Sequence, residues 1–518
     1  MKRKIITVAL AALMALSATV PAIAREGQMS FFGGITEGVR LPLTTEQMIA
    51  DANTGGQPDG NFTNMAYTEI IWLLGEPHEF NGLMNKTVSN SRGRGANADF
   101  GTRTVRHVVR PANLEDNVLL NRDITFTVNW RRVGNQVIET YSFTRWSETV
   151  TVNGQTFVLD PSRSNHEVSI IRDITPGVTY YRGEISMRAA FDSVSGALTH
   201  THHLMGQIYG FSSAWSAVET LRLNGIVETP NGQIHYSVVP SVAVSKELQY
   251  ATTEPTLFSF AGNYREVTTN QSGLNFTIHT APNQMHWVTP TGRASIESFN
   301  RFEQLIAPNL NHLRGHWAYG DLRRLFAMEI ITVDPMHFVP NQAVTRAEFM
   351  TMLARAVNLP IDTEHRTPPT PARNARQQQI ELTFPDLWPN RPDYAYLRAV
   401  NTAGLAIGRG DGHFHPDELM FREEAYVLSL RALGLSNLGL DALPNLPFVD
   451  NDAISEWALN DINAATRIGL IEADQYGMLN PQSYMTKAEA AALINRLIEY
   501  MRHELIRDYT ENIINFMH

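Results

Sequence analysis

The chain has 518 residues, a formal net charge of −10 and no cysteine. The acidic balance argues against a nucleic-acid partner, and without cysteine there can be neither a disulfide framework nor a thiolate metal or catalytic site. Ordinary hydrophobic cores must hold the protein, and its length suffices for several domains.

Residues 1–24 read as an export signal. Lys2, Arg3 and Lys4 precede the apolar run IITVALAALMALSA, and Ala22-x-Ala24 supplies the small residues of a cleavage site. Removal takes the formal charge from −10 to −13, because three basic and no acidic residues leave. That run is too short for a membrane span, and no later stretch approaches the ~20 apolar residues that one needs. The expected mature chain is exported and has no membrane span. LPLTT (41–45) then reads as a loop before a helix at TTEQMIAD.

Residues 25–300 carry no family signature. A helix is expected around MAYTEIIWLLG (65–75). Beyond it, polarity alternates with period two in TRTVRHVVR, RDITFTVNWRR, QVIETYSFTRWSETVTV, HEVSIIRDI and VTYYRGEISMRAAFD, with turns at VGNQ, VNGQ, TPG and PNGQ. One wet and one buried face imply a mainly antiparallel sheet: a sandwich, a barrel or a long curved meander. His200 and His202 alternate in ALTHTHHLMGQIYG and could grip a metal with a third ligand. Strand histidines without carboxylate partners read more simply as a polar face, and no metal or cofactor is expected. Gly-x-Ser-x-Gly, His-Glu-x-x-His and phosphate-loop motifs are all absent from the sequence. No acidic pair stands out as the two carboxylates of a glycosidase.

The C-terminal part repeats. HWAYGDLRRLFAMEIITVDPMHFVPNQAVTRAEFMTMLARAV from His316 aligns with EWALNDINAATRIGLIEADQYGMLNPQSYMTKAEAAALINRL from Glu456. Trp317 falls on Trp457, Leu322 on Ile462, Pro340 on Pro481, and Thr345-Arg-Ala-Glu348 on Thr486-Lys-Ala-Glu489. A middle copy from Phe384 keeps Leu397, Phe414-x-Pro416 and Arg422-x-Glu424, with Tyr394 near the Trp position and Phe421 in place of the Thr. Each copy reads as an amphipathic helix, a loop ending in x-Pro, and a second helix opened by a capping box, with Thr345 and Glu348, or Thr486 and Glu489, bonding reciprocally. One such pair cannot bury both apolar faces, so the copies must pack on each other. The units are 310–360, 384–436 and 445–502, with a Pro-rich polar linker at 361–383 and a helical tail at 503–518. Arg346 sits in a first turn, where the helix dipole disfavours a cation; that placement calls for another reason.

The three copies, over residues 310–502, resemble S-layer homology (SLH) domains, whose family pattern is Trp-Ala, then Gly-Ile, then Phe-x-Pro, then Thr-Arg-Ala-Glu. The resemblance implies that the mainly-β N-terminal domain read from the alternation is followed by an all-α pseudo-threefold bundle, and that the exported protein sits at the cell wall and cell surface, in the S-layer. It further implies non-covalent binding of cell-wall polysaccharide, commonly an anionic, pyruvylated polymer, and a possible self-association in a lattice. Carried over by motif, Arg346, Arg422 and Lys487 meet the polymer's carboxylate, aided by the free N–H groups of the helix start. Lys487 lacks the planar fork of Arg, and Phe421 leaves the second helix without a capping hydroxyl. Trp317 and Trp457 would either stack on sugar rings or belong to the core. Asp386 and Asp450 would contact sugar hydroxyls or cap the following turn. The expected protein is a non-catalytic surface protein displaying the β-rich domain; the alternative is a carbohydrate-active enzyme held by the same anchor.

Overall fold

The computed structural model describes residues 30–36 and 61–509, except for segments 252–262, 280–290 and 362–383 and interruptions of six residues or fewer. The export signal, the helix expected at TTEQMIAD and the linker 362–383 lie outside the described residues. Among the described residues, the N-terminal half is one antiparallel sheet of 16 strands, in which each long strand pairs with the next along the chain. It begins at Phe62–Leu73, ends its long strands at Asn263–His279, and has Ile35–Thr36 along its first edge. The open choice among sandwich, barrel and meander thus resolves to a curled meander of a single sheet. Its start and end meet through side chains, since Trp72 stacks on Tyr236 with ring centroids 3.8 Å apart.

Alternation builds this sheet. In Val118–Val133, Leu120, Arg122, Ile124, Phe126 and Val128 are buried, while Asn121, Asp123, Thr125 and Thr127 face outward. Two tight hairpins fix the register. VNGQ places Asn153 and Gly154 at φ 49° and 80°, between the paired Val152 and Gln155, the arrangement whose twist matches the strands. The helix expected around 65–75 is instead the strand Phe62–Leu73. Residues 67–73 are buried on both faces, so the period-two signal vanishes and the run imitates a helix.

The sheet's interior is apolar but holds buried charge. Arg122 reaches Glu69 and Glu148, each at 2.7 Å, and Arg103 and Arg172 both reach Glu139, at 2.8 and 3.0 Å. His200 and His202 also point inward, which corrects the polar-face reading. His200 lies flat on Phe191 at 5.0 Å, and His202 hydrogen-bonds the Tyr236 hydroxyl. Burial pushes their pKa values down to about 4 and about 3.

The C-terminal half contains three helix pairs: α1 (Tyr319–Ala327) with α2 (Arg346–Ala356), α3 (Tyr394–Thr402) with α4 (Arg422–Leu433), and α5 (Leu459–Arg467) with α6 (Lys487–Glu499). The three pairs share one hydrophobic core. At its centre, the residues preceding α2, α4 and α6 close a ring of backbone hydrogen bonds. Val344 N–H donates to Met485 (2.9 Å), Met485 to Met420 (2.9 Å) and Met420 to Val344 (3.0 Å). A ring of this kind needs all three copies, which is why none can be complete alone.

The other ends of α2, α4 and α6 dock on the sheet. Trp215 Nε1 donates to the Ala356 carbonyl (2.7 Å), Tyr180 Oη to Leu433 (2.9 Å) and Gly177 N–H to Ala432 (2.7 Å). Ser216 Oγ donates to the Met501 carbonyl just past α6. Carbonyls left unpaired at helix C-termini are thereby satisfied, and Tyr180, Phe211 and Trp215 join the helical core. The tail, a π-turn at Tyr500–Glu504 running into α7 (Leu505–Asp508), packs on the sheet as well: Arg502 Nε donates to Lys246 O (2.6 Å) and Tyr509 Oη to Tyr181 O (3.2 Å).

Candidate functional site

The ring end of the bundle gathers the motif cations. Thr345 Oγ1 accepts from Glu348 N–H (3.2 Å) while Glu348 Oε2 accepts from Thr345 N–H (3.0 Å), and Thr486 with Glu489 repeats this at 3.2 and 2.8 Å. Phe421 begins α4 without a side-chain cap. Its ring stacks on Tyr484 of the third copy at 4.8 Å instead.

Each cation pairs with the next copy. Arg346 Nη1 lies 3.0 Å from Glu424 Oε1, Arg422 Nη2 bonds Glu489, and Lys487 Nζ lies 2.7 Å from Glu348 Oε1. Three cations and three carboxylates therefore alternate around the axis, with no net charge. A cation in the first turn is tolerated because its partner is the carboxylate at the third position of the neighbouring helix. Glu348 and Glu489 serve twice, with one oxygen closing their own capping box and the other holding the neighbour's cation.

The expectation of free helix N–H groups is corrected. Arg346 N–H and Ala347 N–H donate to Glu418 O and Pro416 O, both at 2.8 Å; Arg422 and Glu423 donate to Ser483 O and Pro481 O; Lys487 and Ala488 donate to Gln342 O and Pro340 O. The x-Pro loop of the next copy therefore occupies the first turn of each helix. Nor are the three cations alike: the Arg346 side chain is 5% exposed, against 20% for Arg422 and 16% for Lys487.

Asp386 and Asp450 do not cap the turn that follows them. The Asp386 carboxylate accepts from Phe414 and His415 N–H at 2.9 and 2.7 Å, and Asp450 accepts from Leu479 and Asn480 N–H at 2.8 and 2.7 Å. Each carboxylate spans about thirty residues to clamp the x-Pro loop of its own copy. Burial opposes the charge of Asp386, but the two backbone donors prevail and hold its carboxyl below the usual range. His415 and Asn480 take the left-handed conformation at φ 56° and 53° under this clamp. Leu310 stands at the corresponding place in the first copy and is buried.

The tryptophans are exposed, which removes the core reading: Trp317 by 64% and Trp457 by 52%. Trp388, exposed by 57%, is a third that the repeat pattern missed, since it lies two residues after Asp386 rather than before the helix. Counting back five from Leu397, as Trp317 precedes Leu322, gives Pro392 and not Tyr394. Polar bridges tie each aromatic segment to the loop facing a neighbour's cation. Asn341 bonds His316 beside Trp317 (3.0 Å), Asp417 bonds Arg391 near Trp388 (2.8 Å), and Gln482 bonds Ser455 near Trp457 (3.0 Å). Each motif cation thus borders one aromatic segment across a seam between copies, and these three seams are the candidate clefts: Lys487 with the Trp317 segment, Arg422 with the Trp457 segment, and Arg346 with the Trp388 segment.

Comparison with known proteins picks out the same repeats. The S-layer homology domain model matches residues 310–350 and 447–491, the first and third copies. The S-layer protein sap of Bacillus anthracis is 28% identical over 182 residues, 35% of this chain and 20% of that protein. A cellulosome-anchoring protein of Acetivibrio thermocellus is 27% identical over 165 residues, 31% of this chain and 33% of that protein. An amylopullulanase of Thermoanaerobacterium thermosulfurigenes is 27% identical over 251 residues, 45% and 13%. The matches thus span a third or less of each relative, and those relatives include both surface proteins and glycosidases. No helix among the described residues is long and apolar enough to cross a membrane. Residues 310–350 and 447–491 are S-layer homology domains, and the chain that carries them is an exported protein of the cell surface.

Proposed function

We propose that the three clefts bind an anionic cell-wall polysaccharide and that the bundle thereby anchors a non-catalytic β domain at the surface. The observation that carries this reading is the threefold recurrence, on one end of the bundle, of a paired cation facing a segment with an exposed tryptophan. Sugar rings stack on the indoles, and the polymer's carboxylate takes the place of the glutamate on the cation, preserving a charge-assisted bond. Arg422 and Lys487, the more accessible cations, contribute most. The docked sheet lies at the opposite end of the same helices and leaves the clefts clear.

A second reading, a carbohydrate-active enzyme, has the glycosidase-named relatives in its favour. On the outer face of the sheet, a shallow depression of about 670 Å³ contains Glu167 and Glu184. Both are exposed, whereas the acid of a glycosidase works from a desolvated setting. Of the buried carboxylates in the sheet, Glu69, Glu139 and Glu148 are bound to arginine, Glu266 to Lys246 and Glu219 to the Tyr181 hydroxyl. These features support the non-catalytic reading. Co-sedimentation of the mature chain with purified walls tests it: Trp317→Ala/Trp457→Ala should lose wall binding and keep its far-UV spectrum, and equal binding by parent and variant would refute it.

A further inference from the structure

We propose that the loop before α4 carries a divalent transition-metal site, of the class that takes Zn²⁺, formed by Asp411, His413 and His415. One ligand atom from each of these residues lies within 4.8 Å of the others, and the two imidazole centroids are 5.7 Å apart.

The second observation concerns the nitrogens facing away. His415 Nδ1 lies 3.0 Å from Glu418 Oε1, and His413 Nδ1 lies 3.3 Å from the Asp411 carbonyl. An acceptor on Nδ1 fixes the proton there and leaves Nε2 with its lone pair outward, the carboxylate– or carbonyl–histidine arrangement that orients metal ligands. His415 Nε2 hydrogen-bonds Asp411 Oδ2 at 2.6 Å through a proton of its own, and a metal would displace that proton to take the Nε2 lone pair. Two imidazole nitrogens and one carboxylate oxygen make a three-ligand set that leaves a fourth position for water or for an oxygen of another molecule.

The backbone holds these ligands in place. His413 N–H donates to Asp411 Oδ1 (3.0 Å), and His415 N–H is clamped by Asp386 (2.7 Å). The third copy places Asn480 where His415 stands, in the same left-handed conformation, with its amide on Asp474 at 3.1 Å. Asn is an ordinary occupant of that conformation, so histidine at 415 is not demanded by the fold. Met478 and Asn480 occupy the places of His413 and His415 in the third copy, and Val339 that of His415 in the first, so only the middle copy presents both imidazoles. Because Arg346 Nε donates to the Phe414 carbonyl at 3.3 Å, the metal would brace the loop wall of the Arg346 cleft.

The test is Zn²⁺ titration by calorimetry on the tag-free mature chain, with Co²⁺ absorption as a second readout. One Zn²⁺ should bind per chain, and Co²⁺ should give the intense visible bands of a low-coordinate site. His415→Asn, which borrows the residue of the third copy and so keeps the backbone, should weaken binding by at least about 100-fold; Glu418→Gln, which changes only the orienting partner, should weaken it by about 10- to 100-fold. Absence of stoichiometric Zn²⁺ binding would overturn the proposal, as would binding that survives His413→Ala/His415→Asn unchanged.

Discussion

Arg346→Ala separates an ion pair that joins two copies from a ligand-binding cation in solvent. Arg346 is nearly enclosed and its partner Glu424 only slightly exposed, at 5% and 16% of their side chains. Removing one member of a buried pair costs about 3–5 kcal/mol, because the other charge is left buried and unpaired. Glu424 keeps some contact with water, so about 2–3 kcal/mol is the fitting figure. Such a loss lowers the melting temperature of a unit of 150–250 residues by roughly 4–12 °C, at the lower end if sheet and bundle melt together. Arg422→Ala is the internal comparison, since its pair is exposed by 20% and 27% and is worth about 1 kcal/mol or less. Differential scanning calorimetry of both variants gives the ranking, and Arg346→Met/Glu424→Leu should recover most of the loss. If Arg346→Ala melts no lower than Arg422→Ala, the bridging role assigned to Arg346 is wrong.

Asp450→Ala removes two charged acceptors from the Leu479 and Asn480 amides, so hydrogen exchange at those amides should accelerate and stability should drop by about 2–4 kcal/mol. Deleting residues 301–518 should release the sheet from walls but leave Tyr180, Phe211 and Trp215 uncovered, so the fragment should bind a hydrophobic dye that the mature chain does not. Acid should weaken the sheet. His166 and His202 are held at about 3 when folded against 6.5 when unfolded, so the unfolded chain binds more protons and stability falls as pH drops below 6.5. By about pH 5 each contributes a loss of about 2 kcal/mol, and urea midpoints unchanged between pH 7.5 and 5 would count against their being buried and neutral.

Local chemistry was legible in the sequence, and its partners were not. Thr345 and Glu348 announced a capping box because both ends of that interaction lie within four residues. Glu424, the partner of Arg346, is 78 positions away, and only closure of the threefold ring brings it there. The same holds for Asp386, whose acceptors are the amides of a loop 28 and 29 residues on. Alternation revealed the antiparallel sheet wherever one face is wet, and failed at residues 67–73, where neither is. That the sheet curls into one layer with buried arginines depended on pairing and twist, which no single strand encodes. Trp388 escaped because the middle copy shifts its aromatic from the helix start to the preceding turn. Docking of the tail on the sheet had no local signal at all.

The central claim is that clefts between copies recognise an anionic wall polymer through Arg422, Lys487 and the exposed indoles. The measurement that bears on it most directly is equilibrium binding of the mature chain to purified wall polysaccharide, before and after mild acid strips its acid-labile carboxyl substituents. The account predicts saturable binding to the intact polymer, weakened at least about 10-fold both by stripping and by Arg422→Ala/Lys487→Ala, since even one charge-assisted bond is worth about 1.5–3 kcal/mol. Equal affinity of parent and double variant for intact and stripped polymer would contradict it.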